Sequence, residues 1–513
     1  MLAFNPYIAA AVAVFGIIAW FLRLQIDQKF KLRSLPFDTP ITIFVMLGAI
    51  SVFMSPVSSF DLFYNYCGIM GVFILTYLLV GQNIRTTEQV KNLVKSIFAA
   101  AVIVMAVGFF QYFFGVDTSE MKVTDIDPFS GYTRIFATFE NPSALAGYLD
   151  VIICLALGLL AKYGTVKQKL ILLAGIVFLT ICLAMTYSRG AFLAIAAIFL
   201  IYGILYDWRI LIFFATGTAI LLYNNTVLLD RVLSVFMTND LSNDLRVGIW
   251  VSTISMIADH PFIGIGWGAY QFTYPQYDYY FLDFKETIYH AHNLYLNTAA
   301  EVGIVGALAY FWYFFGTMFS ALNLNVGERY FKVKMTAGEI AKRAKENTFK
   351  QKFDAEFVKV FAESDFLQSL AKIKSMFILR FSELINQIFD KAEKTKTKRA
   401  KKSEPELVHH EELKFGEKTK KKDDKKSDDD IDIQKFAENV TLFEDKKSDK
   451  DAQFIEGVKI GIGLAFLAIA LNGLSVDSLF NAPIAILMWI LGALAGAIEV
   501  NTDNNEENLE NEN

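Results

Sequence analysis

The sequence predicts an all-α polytopic membrane protein with about eleven transmembrane helices, within a range of about ten to twelve. Three observations carry this. First, 54% of the 513 residues are hydrophobic and 15% aromatic, an excess over soluble domains of this length. Second, charge is nearly absent from repeated blocks of about 20 residues, the length that crosses a hydrocarbon core about 30 Å thick. Backbone groups in lipid must pair within their own segment, so such blocks are helical. Third, Lys and Arg recur in alternate short loops.

In chain order the candidate spans are 6–22, 41–56, 62–81, 96–115, 143–161, 170–187, 190–206, 210–223, 293–321, 454–474 and 480–499. The first has no basic segment before it and no small-residue cleavage site after it, so it reads as a retained span. Arg23, Lys29, Lys31 and Arg33 fill the first loop, Arg85, Lys91 and Lys95 the third, and Lys162, Lys167 and Lys169 the fifth. Basic residues near span ends are retained on the cytoplasmic side, which places the N-terminus outside and the C-terminus inside.

The main transmembrane part is 1–324, with a large external loop at 224–292 that carries an amphipathic helix; a second long external segment is 116–142. The loop contains GIGWG, read as turn chemistry rather than an anion nest. It also contains the run from Tyr270 to Phe284, whose rings would stack on sugars or form an interfacial aromatic belt. Residues 325–452 form a charged cytoplasmic insert. Its first half has the alternation of amphipathic helix, and its second half has too few apolar residues to fold alone. It reads as a solvated linker with surface helix, the alternative being a docking site for a cytoplasmic partner or the inner leaflet. His409 and His410 lie in it and receive no role. C-terminal helices at 453–500 and an acidic tail at 501–513 complete the chain. Charged residues are concentrated in the insert and tail, and the small net charge of −5 does not point to nucleic acid. Cys67, Cys154 and Cys182 sit in apolar blocks as small hydrophobes, without a disulfide framework.

Candidate site residues are polar groups on the external side that the positive-inside rule leaves unexplained. Arg189, in TYSRGA, follows Ser188 as N-cap and falls in the first turn of a span, where free N–H groups and the helix dipole are already positive. A cation there favours a bound anion such as a phosphate. Arg246, in SNDLRVGIW, repeats the arrangement after Ser242 or Asn243, on a helix whose Ile249, Trp250, Thr253, Ile254 and Ile257 recur at helical spacing and which would lie at the interface. The alternative for each arginine is snorkelling or a carboxylate partner. His290 and His292, in ETIYHAHNLYLN, precede a span in which Asn293, Asn297 and Glu301 form one stripe. Glu301 is too deep to face lipid, and an external arginine is its expected partner; Asp150 is a second intramembrane carboxylate with no partner to name. No carboxylate cluster has metal-ligand spacing beside the histidines, so no metal or other cofactor is expected.

TYSRGA, RVGIWVSTISMIADHPFIGIGWGAY and HAHNLYLNTAAEVGIVG together resemble the O-antigen ligase and polymerase family in residue type, order and spacing over about residues 130–320. RIFATFENPSALAGYL looks like the family's external loop and following span, with Ser143 where the pattern has a second Asn. The resemblance implies a metal-independent, inverting glycosyltransferase at the outer face of the cytoplasmic membrane. It implies a polyprenyl-diphosphate-linked glycan as donor and a glycan, lipid or protein as acceptor. Arg189 and Arg246 would then bind the diphosphate, His292 would activate the acceptor hydroxyl, and His290, Asn293, Asn297 and Glu301 would support it. Two other classes compete: a transporter or flippase using Asp150, Glu301 and the arginines as a substrate path, and a silent scaffold whose working part is the insert. Transporters often carry internal duplication and paired broken helices, and neither is evident in the sequence.

Overall fold

The computed structural model describes residues 6–26, 32–57, 60–115, 134–139, 141–162, 165–233, 241–278, 287–322, 446–479 and 481–511. The chain divides into two units, one comprising Met1–Asn325 with Thr441–Asn513, the other Val326–Val440. The second lies outside the described residues, as do His409 and His410 and the aromatic positions 279–284.

The described residues are helical, with no strand among them. The helices are α1 (Pro6–Ile26), α2 (Asp38–Phe53), α3 (Phe60–Asn83), α4 (Thr87–Phe114), α5 (Pro142–Lys162), α6 (Val166–Ala184), α7 (Arg189–Leu205), α8 (Trp208–Asn224), α9 (Thr226–Leu233), α10 (Leu241–Asp259), α11 (Tyr270–Thr273), α12 (Leu294–Ala321), α13 (Lys446–Asn472) and α14 (Ala482–Asn511). Seven of them, α3 to α6 and α12 to α14, contain stretches long and apolar enough to cross a membrane. Shorter apolar helices occupy Val14–Ile26, Asp38–Phe53, Arg189–Leu205 and Trp208–Tyr223. Large apolar side chains such as Phe15, Phe53, Phe113, Leu170 and Ile212 point outward, a surface that suits lipid.

Local signals set where helices begin. Thr86 and Gln89 form a capping box at α4, Thr86 accepting from the Gln89 N–H while the Gln89 side chain accepts from the Thr86 N–H. Asp207 caps α8 by accepting from the Arg209 N–H at 3.0 Å.

The centre of the bundle is α5, buried along almost its whole length, with α13 antiparallel against it. Between helices in lipid the hydrophobic effect gives little attraction, so close backbone approach does the work. Glycines allow it: a Cβ on Gly461 would stand 2.9 Å from Leu155 Cα, and one on Gly457 would stand 3.2 Å from Leu159 Cα.

Contacts at helix ends divide the bundle into two poles. At one, Arg23 donates to Asn83, Arg33 donates to the carbonyls of Gly81 and Ile84 and to Asn501, and Ser320 donates to Glu499. Lys91 pairs with Glu88 and Asp451, and Lys162 with Glu456. The described basic residues of the odd loops that make these contacts therefore share a pole. Ion pairs this open to water are worth about 1 kcal/mol or less. Glu456→Gln is accordingly expected to leave thermal unfolding in detergent nearly unchanged, and a large fall in melting temperature would show that Lys162 holds α13 in place.

At the other pole α12 is broken. Gly303 has φ 73°, ψ 171°, outside helical space. The break frees the carbonyls of Ala300 and Glu301, and the segment Pro261–Gly268 takes them: Ile265 N–H donates to Ala300 O at 2.8 Å and Gly266 N–H to Glu301 O at 3.0 Å. In return Ile304 N–H donates to Pro261 O at 2.8 Å. Trp267 anchors the segment, buried edge-on against Phe44 and Tyr66.

Candidate active site

Arg189, Arg246 and His292 all lie at the pole opposite the basic loops. Arg189 is the first residue of α7, and Ser188 occupies the N-cap with extended backbone, but its side chain makes no capping hydrogen bond. That corrects the expected cap. The tight turn Met185–Tyr187 replaces it, with Tyr187 in left-handed conformation at φ 52° and Thr186 Oγ1 accepting from the Ser188 N–H. Next to this turn lies Arg134, whose Nε donates to Thr186 O at 2.9 Å, while Ile135 N–H donates to Met185 O. Arg134 is a third cation at this pole, one that the sequence reading did not single out. Arg134 lies eight residues before α5, so the pattern of a cation in a first helical turn that singled out Arg189 did not reach it.

Gly190 lies flush on the turn Asn472–Ser475, where a Cβ would collide with Ser475 Oγ. That turn also holds the start of α12. Leu294 N–H donates to Gly473 O at 2.7 Å and Asn293 Nδ2 to Leu474 O at 3.4 Å. One short turn after α13 thus supports both the arginine-bearing start of α7 and the histidine loop.

In that loop Asn293 is the N-cap of α12, its Oδ1 accepting from the N–H groups of Tyr295 and Leu296 at 3.0 and 3.1 Å. His292 is left-handed, φ 49°. Its N–H points to His290 Nδ1 at 3.4 Å, and the two rings meet edge-on with centroids 4.3 Å apart. Non-glycine residues in this region cost about 1–3 kcal/mol and persist only where neighbours fix them. The neighbours here are Asn297, whose Oδ1 accepts from Ala291 N–H at 2.9 Å, and Trp250, whose Nε1 donates to Ala291 O at 3.1 Å.

Trp250 belongs to α10, which begins at Leu241, earlier than the sequence suggested. Arg246 is therefore in the second turn and not the first, and acts through its side chain more than through the helix start. The buried face of α10 is Ile249, Ser252, Thr253 and Met256, while Val247, Val251 and Ile254 are exposed. The expected apolar stripe thus splits: Ile249 and Thr253 face protein, Ile254 does not, and the helix is apolar on two sides.

Glu301 corrects a second expectation. It is fully buried, and its Oε2 accepts from Gly268 N–H at 2.9 Å, so a loop amide takes the place of the arginine partner. Every GIGWG N–H with a described acceptor turns inward: Gly264 to His260 O, Ile265 and Gly266 to α12, Gly268 to Glu301. The loop is turn chemistry that also fills the helix break. Tyr270 and Tyr274 are buried and stack on one another in a small core with Ile249, Met256 and Ala291, which removes these two from the rings available to sugars. Asp150 is buried within α5, and neither of its oxygens has a hydrogen-bond partner among the described residues. Asp477, also buried, was missed because its sequence context NGLSVDSLF is only that of a turn; its Oδ1 accepts from Leu479 N–H, and its charge acts on Tyr270.

Electrostatics join the histidine to Arg246. His292 is held well below the usual imidazole range, first by burial, then by His290, then by the Arg246 guanidinium. Burial is the largest cause. The ring is therefore neutral at neutral pH. Among the described residues no group of three His, Cys, Asp or Glu side chains gathers in a form that could hold a metal ion.

A family model described as O-antigen ligase matches residues 174–311, from within α6 through α7, α10 and the histidine loop into α12. The match falls inside the resemblance read from about residues 130–320 and does not reach RIFATFENPSALAGYL. No curated protein matches the chain.

Proposed function

We propose, from the premise that residues 174–311 are an O-antigen ligase domain in a multi-span helical protein, that the chain transfers a glycan from a polyprenyl diphosphate to a hydroxyl acceptor at the outer face of the cytoplasmic membrane. The observation that carries this reading is the coupling of Arg246 to a neutral, left-handed His292, with Arg189 starting its helix on the same turn that supports α12.

In this mechanism Arg189 and Arg246 hold the donor diphosphate. His292 takes the proton of the acceptor hydroxyl, whose oxygen attacks the anomeric carbon from the side opposite the leaving group. The bond from that carbon to the diphosphate oxygen breaks, and the lipid diphosphate leaves as an anion. Two guanidinium groups aimed at the growing negative charge stabilise it in the manner of an oxyanion hole, without a metal. His290, Asn293, Asn297 and Glu301 set the loop. The acceptor is a glycan, a lipid or a protein in cell-surface polysaccharide assembly. In the same reading the insert at 325–452 is cytoplasmic, and eleven helices span the bilayer.

A transporter is not favoured. α12 is broken as transporter helices are, but the segment Pro261–Gly268 fills the break and takes its carbonyls. The decisive experiment supplies the purified protein with labelled polyprenyl-diphosphate glycan and identifies what becomes glycosylated. Arg246→Ala and Arg189→Ala are each expected to lower transfer by about 10²-fold, as loss of one charge-stabilising donor does. Full transfer by both variants, correctly inserted, would refute the diphosphate site.

A further inference from the structure

We infer that Trp250 is a positioning residue for the transfer, its indole N–H setting His292 through the Ala291 peptide and fixing the distance between the base and Arg246. The inference rests on the reading of His292 as acceptor base.

The Ala291 peptide is held from both sides. Asn297 Oδ1 accepts from its N–H at 2.9 Å, from inside α12, and Trp250 Nε1 donates to its carbonyl at 3.1 Å, from α10. Ala291 itself is fully buried, so water cannot replace either bond. The residue that follows is His292, at φ 49°, a conformation that an L residue leaves unless its flanking peptides are fixed. Trp250 lies four residues after Arg246, one helical turn along α10, so the same helix presents the cation and grips the loop that carries the base. In sequence Trp250 is one apolar position of a stripe; in the fold its N–H has a specific acceptor.

The effect follows from geometry. Without the indole bond the Ala291 carbonyl loses its partner, and His292 can relax out of the left-handed region. A displacement of about 1 Å at a reacting group costs up to about 10²-fold in rate. The groups whose charge acts on the ring are His290 in its own loop and Arg246 on α10, while the turn after α13 offers carbonyls only to Asn293 and Leu294. Relaxation moves the ring from Arg246 toward water, so its affinity for protons rises toward the ordinary value.

The test is Trp250→Phe in the full-length protein in nanodiscs. Transfer is measured with lipid-linked glycans extracted from the producing membrane, and donor binding with labelled undecaprenyl diphosphate. Expected are a loss of turnover of about 10- to 100-fold, undecaprenyl diphosphate binding within about twofold of the parent, and an acid limb of the pH–rate profile moved to higher pH. Unchanged turnover overturns the inference, and so does lost turnover with an unmoved acid limb, which is the mark of a merely structural residue. Asn297→Leu releases the same peptide from the other side and stands in if Trp250→Phe does not insert; it should move the acid limb in the same direction, and an unmoved limb overturns the inference. If His292→Asn retains full transfer, the base reading itself fails, an outcome distinct from a Trp250 variant that is silent while His292→Asn is dead.

Discussion

His292→Asn is expected to lower turnover by about 10³-fold while undecaprenyl diphosphate binding persists. Asparagine is chosen over alanine because position 292 has φ 49°, and Asn tolerates the left-handed region with little strain. The variant then removes the proton acceptor and leaves the loop in place. Equal loss of binding and turnover would give the ring a structural role instead. The parent enzyme should show a matching pH dependence. Because burial, His290 and Arg246 hold His292 below its usual range, the active neutral ring is already dominant at pH 6.5, and activity falls only as pH drops through the lowered value. A rate that halves near pH 6.5 or above would contradict this assignment.

A large expected effect on folding is at Gly264. Its φ is +79°, and a Cβ there would stand 2.5 Å from Glu301 O and from Gly303 N, both backbone atoms that cannot turn aside. Gly264→Ala therefore combines backbone strain with a clash at the break of α12. Together these are expected to cost about 3–5 kcal/mol, enough to unfold many domains. The measurement is thermal unfolding and limited proteolysis in detergent, with Gly268→Ala as comparison. Gly268 also has positive φ, +75°, but its Cβ would meet only Leu62 Cδ1 at 3.5 Å, so its penalty is the backbone strain alone. Equal stability of the two variants would mean that the loop is not wedged into α12.

The helical class was legible in the sequence because lipid imposes it: charge-free blocks of spanning length have no other way to pair their backbone. The candidate residues were visible for a related reason. Cations and histidines beside apolar blocks, away from the basic loops, are conspicuous by residue type, which is how Arg189, Arg246 and His292 became candidates; their roles came from the resemblance. What stayed hidden depends on backbone contacts between distant segments. Glu301 was given an arginine partner because a deep carboxylate calls for a donor, yet the donor is the Gly268 amide, and amides carry no sequence signature. The break of α12 needed Gly303 to be told apart from ordinary glycines in membrane helices, which only its pairing with Pro261–Gly268 does. Tyr270 and Tyr274 were read as part of a sugar platform or an interfacial belt because their burial against α10 depends on tertiary packing.

The turn Asn472–Ser475 has a consequence for biosynthesis. A ribosome that has just completed the segment up to residue 440 has delivered every arginine and histidine of the candidate site, yet the carbonyls of Gly473 and Leu474 that secure the start of α12 do not exist. α13, which lies flush along α5, is also missing from the middle of the bundle. A nascent or prematurely terminated chain thus carries all the reactive groups in an unfinished cradle. On the proposed function, a chain that ends before α13 is expected to transfer no glycan, since the last helices made supply the turn on which α7 and α12 begin.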